Sequence, residues 1–363
     1  MEKKKKSVGR RILKAIGICL LALVVAFGGL LGYLSATEYK PADQTPITIA
    51  GQPTRTLNTG DTLKVMTWNI GYGALGDNAD FFMDGGSMVN TADEARVQTN
   101  MAEIISEINN VAPDLLMLQE TDRDSKRSHH VDELQKIQSE TAGDYAVTFA
   151  NNFKVAFLPY PVPPIGKVDS GLATFSTYPV SEAERIQLPI PFAWPIRMAN
   201  LKRCLLVNRI PFADSDKELV LVNLHLEAYD DGEGKAKQTA MLLEILNAEA
   251  EKGNYVIAGG DFNQIFSNAD TAAYPAQAGK WQAGEIDAEV FTADGWQLLM
   301  DASVPSCRSL DQSYEGADKA AFQYYLIDGF IVSANVTVNT CATQDLHFVC
   351  TDHNPVLMEV TLG

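Results

Sequence analysis

The chain opens with an uncharged, mostly apolar run from Ala15 to Leu34 that shows no amphipathic face. At about 1.5 Å per residue, a helix of this length spans about 30 Å, one bilayer core. The pattern then changes. Leu63, Val65 and Thr67 alternate with Lys64, Met66 and Trp68, which predicts a strand ending at Asn69. Val97, Met101, Ile104, Ile105 and Ile108 recur at helical spacing and predict an amphipathic helix over residues 92–110. After Pro113, Leu115 to Leu118 form a short buried strand ending at Gln119-Glu120. Residues 171–180, 203–210, 218–226, 255–260, 325–333 and 356–362 also predict strands. Lys235 to Glu251 predicts a helix closed by Gly253, a C-cap residue. Strands outnumber helices and come in adjacent runs, so sheets should pack on each other with helices outside.

Between these elements lie loop signals. Residues 37–60, with Pro41, Pro46, Pro53 and Gly51, predict a linker carrying one short strand at Ile47-Thr48-Ile49. Gly71 to Asn90 is rich in Gly, Asp and Asn. Phe153 to Asp169 carries Pro159, Pro161, Pro163 and Pro164 among Phe, Tyr and Val. Such an apolar loop either shapes access to a site or packs on its own domain. The expected organisation is a basic tail at 1–14, a membrane-spanning helix at 15–34, a linker at 35–61 and one domain at 62–363.

Charge orients the first segment. Lys3 to Lys6, Arg10 and Arg11 flank the apolar run, so this end should stay cytoplasmic, and the rest should face outward from a single-pass anchor. The rival reading is a cleaved signal peptide with Leu34-Ser35-Ala36 as a poor cleavage site, which would make the protein secreted. Residues 1–36 hold seven Lys/Arg and one Glu, leaving 22 basic against 45 acidic residues beyond them. That balance counts against a general nucleic-acid binder, although a bound cation inverts the local field. Cys204, Cys307, Cys341 and Cys350 lie outside the apolar run, where disulfides are permitted, and three pairings are open. No CxxC occurs, which argues against a zinc knuckle.

The candidate chemistry sits at strand ends: Asn69, Glu120, His225, Asp261 with Asn263, and Asp352 with His353. Any one of these is ordinarily a turn residue or a cap. As a set, carboxylates, amides and imidazoles can hold a divalent cation and a phosphate. Asp122 and Asp124 read as surface caps. His129-His130 reads as a solvated helix start rather than a metal pair, because adjacent helical residues point apart.

The flanking sequences add a resemblance. Met66-Thr67-Trp68-Asn69-Ile70, Asp114 to Glu120, Asn223-Leu224-His225-Leu226, Gly260-Asp261-Phe262-Asn263, Ile327-Asp328 and Thr351-Asp352-His353 resemble, in order, the motifs of the endonuclease/exonuclease/phosphatase superfamily. Ser170 to Ser176 resembles the strand between its second and third motifs. The resemblance runs from about residue 62 to 362 and implies an α/β four-layer αββα sandwich with two central mixed sheets. It also implies that Glu120 is the primary carboxylate for Mg²⁺, with Mn²⁺ or Ca²⁺ as alternatives, and that Asn69 and Asp352 support the metal or its waters. His353 would activate or orient the attacking water, with Asp328 fixing its tautomer. His225 would donate to a phosphate oxygen or assist the leaving group. Asp261 would handle a proton, and Asn263 would bind phosphate. Which of His353 and Asp261 is the base stays open. An Arg that contacts phosphate is expected on the strand before His225. Arg203 fits best, with Arg197 and Lys202 as competitors. No residue matches the acidic partner of that His.

Three functions compete at this point. The first is a metal-dependent phosphodiesterase at the outer membrane face, acting on a phospholipid or sphingolipid head group or another small phosphoester. The anchor, the acidic ectodomain and the Pro-rich segment favour it. The second is an extracellular nuclease, for which the sparse basic residues supply little phosphate footprint. The third is a catalytically dead binding module, which would not need Glu120, Asp261, Asp328 and His353 together.

Overall fold

The computed structural model describes residues 3–363. Two mixed sheets form its centre. One has six strands in the order Val336–Thr343, Val356–Leu362, Thr62–Asn69, Leu115–Asp122, Gly166–Ser176 and Ala146–Leu158. The other has seven, in the order Gln44–Pro46, Glu182–Gln187, Cys204–Pro211, Glu218–His225, Tyr255–Asp261, Asp328–Val332 and Gln297–Leu299. Each sheet carries one parallel pair at its centre. Thr62–Asn69 runs beside Leu115–Asp122, and Glu218–His225 beside Tyr255–Asp261.

Alternation along these strands separates three cores. Leu63, Val65, Leu115 and Met117 face Leu219, Leu221, Ile257, Phe330 and Val332 between the sheets. On the outer face of the first sheet, Met66, Trp68, Leu116 and Leu118 meet Val97, Met101, Ile104, Ile105 and Ile108 of the helix Glu94–Val111. On the outer face of the second, Val220, Val222, Leu224, Val256 and Ala258 meet Leu242 and Leu246 of the helix Glu233–Ala250. The order is therefore helix, sheet, sheet, helix, as the resemblance implies. Asp93 caps the first helix by accepting from Arg96 N–H at 2.8 Å.

Some expectations shift. The short strand before the domain lies at Gln44–Pro46 instead of Ile47–Ile49, because Ile47 turns inward against Ala150, Leu172 and Leu206. The segment after it is tied to the sheets. Ala50 bridges Val147, and the buried Leu57 bridges Phe212. The segment from Phe153 to Asp169 is mostly strand, since the hairpin continues to Leu158 and resumes at Gly166. All four prolines sit in its tip, where no ladder N–H is required. Cys19, Cys204, Cys307, Cys341 and Cys350 are all free thiols.

Lys3–Thr37 is one helix, and Val8–Thr37 is long and apolar enough to cross a membrane. From Val8 to Gly29 it is fully exposed, whereas Leu34 is buried against the rest of the protein.

Candidate active site

Strand register assembles the site. In the second sheet His225 pairs with Asp261, and Asp261 with Asp328, so three polar side chains share one row at the sheet's end. In the first sheet Asn69 pairs with Gln119. The adjacent ladder slips between Leu118 and Thr121, and there Glu120 takes a left-handed conformation with φ of 52°. Such backbone strain in a non-glycine residue persists where the surroundings over-determine it, and it is common at functional sites. The irregularity aims Glu120 into the mouth between the sheets.

Asn69 ties the two sheet ends together. Its Nδ2 donates to Glu120 Oε1 at 3.2 Å and to Asp261 Oδ2 at 3.0 Å. Below it, Gln119 Nε2 donates to Asn223 Oδ1 at 2.8 Å, a second buried polar bridge between the sheets. Asp261 Oδ2 also lies 3.4 Å from His225 Nε2 and 3.9 Å from His353 Nε2. Its other oxygen accepts from Asn263 N–H at 2.9 Å, and Asn263 sits in a left-handed turn with φ of 51°. Asn263 Nδ2 donates to Leu226 O at 2.9 Å.

The last motif closes the site from the first sheet. Trp68 Nε1 donates to His353 O at 2.9 Å, and Thr351 Oγ1 donates to Asn69 O at 3.1 Å. His353 Nδ1 is 2.8 Å from Asp328 Oδ2, and its Nε2 is 4.0 Å from Asp352 Oδ2.

Burial sets the charges. Desolvation, with repulsion from Asp328, pushes the Asp261 carboxyl up to about 7. Desolvation likewise raises Asp352. Desolvation lowers His225 well below the ordinary imidazole value, and Arg203 and His353 add to this, so it is neutral. His353 goes the other way. Burial opposes its charged form, but Asp328, Cys307 and Asp352 outweigh that and hold its pKa well above the ordinary value.

The structure separates the cationic candidates. Arg203 is buried in the mouth, with Nη1 donating to His225 O at 3.2 Å and Nε left without a hydrogen-bond partner. Arg197 and Lys202 turn away to Glu38, at 3.4 and 3.5 Å. Glu227, two residues beyond His225, pairs with Arg203 at 3.6 Å, and His225 Nδ1 has no hydrogen-bond partner. Asp124 is a surface residue, and His130 Nδ1 lies 2.6 Å from its carboxylate, away from the mouth.

Sequence reasoning missed Arg127 and misread Asp122. Asp122 is fully buried and is no surface cap. Its two oxygens accept from Arg127 Nε at 3.1 Å and Nη2 at 2.9 Å. Arg127 then lies flat over the Tyr72 ring, 3.6 Å from its centre, beside Glu120. No periodicity marks an Arg in a short turn. The only available signal was an Asp at a strand end with an Arg five residues on.

Residues 66–339 match the Endonuclease/Exonuclease/phosphatase family. The chain belongs to that family. Its members are typically hydrolases of phosphoester bonds and generally use divalent metals. Comparison with curated proteins gave no match. Among solved structures, an endonuclease/exonuclease/phosphatase from Beutenbergia cavernae is similar, with TM-score 0.56 and 18% identity over 83% of this chain and 72% of that one. The human nocturnin catalytic domain, solved with a bound sulfate anion, shows TM-score 0.50 and 18% identity over 87% of this chain and 98% of that one. A protein of unknown function from Enterococcus faecalis shows TM-score 0.52 and 14% identity, covering 83% and 100%. At these identities the likeness establishes the fold.

The donor set fits a hard divalent cation. Glu120, Asp261 and Asp352 line one mouth, and burial raises two of them, with repulsion from Asp328 on Asp261 and from Glu120 on Asp352, a cost that a bound cation offsets. Asp261, Asp328 and His353 also lie close enough to share an ion, as do Cys307, Asp352 and His353.

Proposed function

We propose that this protein is a metal-dependent phosphodiesterase, anchored by its N-terminal helix, that cleaves a lipid head group at the outer membrane face. One observation carries this reading. The polar mouth opens into a chamber of about 710 Å³ walled by apolar side chains, among them Phe82, Phe153, Leu158, Phe192 and Met198. A nucleic-acid groove would need a line of free cations, whereas Arg127, Arg203 and Lys280 in this lining are paired with Asp122, Glu227 and Asp311. A chamber of this size and polarity suits acyl chains leading to a phosphate.

The residues divide the work. Glu120, Asn69 and Asp352 would hold Mg²⁺, which when bound neutralises phosphate charge. Arg203, whose buried Nε makes no hydrogen bond and lies 3.6 Å from Glu227, and Asn263 receive the phosphate oxygens. Neutral His225 donates to a phosphate oxygen or the leaving group. His353, its Nδ1–H directed to Asp328, presents Nε2 to water, and Asp261 exchanges a proton beside it.

The test uses the full-length protein in sphingomyelin and phosphatidylcholine vesicles with Mg²⁺, beside plasmid nicking. Head-group release without nicking is expected, and His353→Ala and Asp261→Ala should each lower it by about 10²–10⁴-fold. Nicking without lipid cleavage would overturn the lipid reading. Either variant retaining more than about a tenth of activity would overturn its role.

A further inference from the structure

The chamber has an unusual wall. Leu31 and Leu34, in the last turns of the apolar helix, line it together with the tip of the Pro-rich hairpin and the loop before Arg203. Contacts on this seam are specific. Ser35 Oγ donates to Met198 Sδ at 2.9 Å, and Trp194 Nε1 donates to Ser35 Oγ at 3.5 Å.

Beside the seam, large apolar side chains stand in solvent. Tyr160 is 67% exposed, Val162 93%, Trp194 55% and Ile196 63%. Large apolar side chains exposed on the two segments that flank one chamber mark a surface for a partner or a membrane. The charge pattern selects between them. Neither Phe153–Val168 nor Leu188–Arg203 contains an Asp or Glu, although the chain beyond residue 36 holds 45. Their cations are paired with acids of neighbouring segments, Lys154 with Asp169, Lys167 with Asp124, and Arg197 and Lys202 with Glu38, so the segments present apolar side chains without unpaired charge, which suits a lipid surface. Position decides the matter. Successive helical residues rise about 1.5 Å, so whatever touches Leu31 to Ser35 lies within about one helical turn of the end of a span. Interfacial Trp and Tyr are the residues expected at that level.

We propose that this apolar rim is seated in the outer leaflet, and that the last turn of the anchor closes the chamber on the bilayer side. The helix is then both the tether and part of the substrate entrance. A lipid reaches Glu120 and His353 from the membrane plane without crossing water. This seating rests on reading the helix as an uncleaved span.

The experiment reconstitutes the full chain in vesicles of phosphatidylcholine with brominated acyl chains. Resistance to alkaline carbonate extraction reports the anchor. Quenching of Trp194 emission, taken as the difference from Trp194→Phe, reports the seating. Both are expected. Val162→Asp should reduce head-group release from vesicles about tenfold, equivalent to about 1.4 kcal/mol of lost seating, and leave hydrolysis of the soluble diester bis(4-nitrophenyl) phosphate unchanged. Extraction by carbonate would overturn the anchor reading and the seating with it. A carbonate-resistant protein whose Trp194 is unquenched would overturn the seating alone. Quenching without lipid hydrolysis would uphold the seating and remove the proposed substrate.

Discussion

His353 Nδ1 and Asp328 Oδ2 stand 2.8 Å apart, and this contact decides which ring nitrogen faces the mouth. With Nδ1–H directed to the carboxylate, Nε2 is left toward Asp261 and Asp352. The same carboxylate is the foremost group that raises the imidazole pKa against the opposing effect of burial. Asp328→Asn keeps the shape and removes the charge. The imidazolium loses its main support, so its pKa falls and the neutral base form is reached at lower pH. We expect kcat to drop by about 10²–10⁴-fold and the acidic limb of the kcat/KM profile to move to lower pH. Full activity with an unmoved limb would refute this role for Asp328.

The strained backbone of Glu120 and the amide of Asn69 at 3.2 Å hold its carboxylate in the mouth, where we propose that it binds the metal. A ligand that binds only the folded state stabilises it by RT ln(1 + L/Kd) at free concentration L, so Tm rises with ligand concentration. Mg²⁺ should therefore stabilise the wild type in a thermal melt, with little effect on Glu120→Gln. The melt reads binding without requiring turnover. Equal stabilisation of both proteins would exclude Glu120 as a ligand.

Much of this site was legible in the chain because register is local. The apolar runs ending at Asn69, His225 and Asp261 terminate at one level, and parallel pairing carries that level across a sheet. The long helices were equally plain, since their buried faces repeat at 3.6 residues. Less legible were strands that bury little. Val336–Thr343 is an edge strand with exposed Thr and Asn, and Glu182–Gln187 interrupts its apolar positions with Glu182, Glu184 and a buried Arg185. Arg127 was invisible for a different reason. Its position depends on the ring of Tyr72 and the carboxylate of Asp122, which approach it only in three dimensions. The seam between Leu34 and the Pro-rich hairpin is of the same kind.

Across the mouth, Tyr229 donates its hydroxyl to Asp84 Oδ1 at 3.1 Å. Desolvation, with Asp352 and Glu120 adding repulsion against that hydrogen bond, pushes Asp84 up to about 7. Its ordinary value is 3.8. The folded state therefore holds this proton more tightly than the unfolded state, and the stability it contributes is lost as pH rises toward 7 and absent above it. Asp84→Asn removes that dependence. Without added metal, the variant should gain Tm relative to wild type at pH 8 compared with pH 5. A difference that stays constant between these pH values would show that Asp84 titrates normally.

Gly260 holds the two parallel strands at their functional end. Its φ is 151°, and a Cβ built there would fall 1.9 Å from the Leu224 carbonyl oxygen. No rotamer relieves a clash with backbone, so Gly260→Ala must push the strands apart beside the His225–Asp261 pair. Overpacking of this kind costs about 1–3 kcal/mol. Gly279 is a fair control, because it also has positive φ, 81°, but nothing lies within 4 Å of the added Cβ. Gly279→Ala should lose only the conformational term of about 1–2 kcal/mol, and keep its activity. Gly260→Ala should melt lower than that control and lose turnover even well below its Tm, because the separation of His225 Nε2 and Asp261 Oδ2, 3.4 Å in the native site, depends on the strand spacing. If both variants melted alike and kept full activity, the close strand approach at Gly260 would have no part in holding the site.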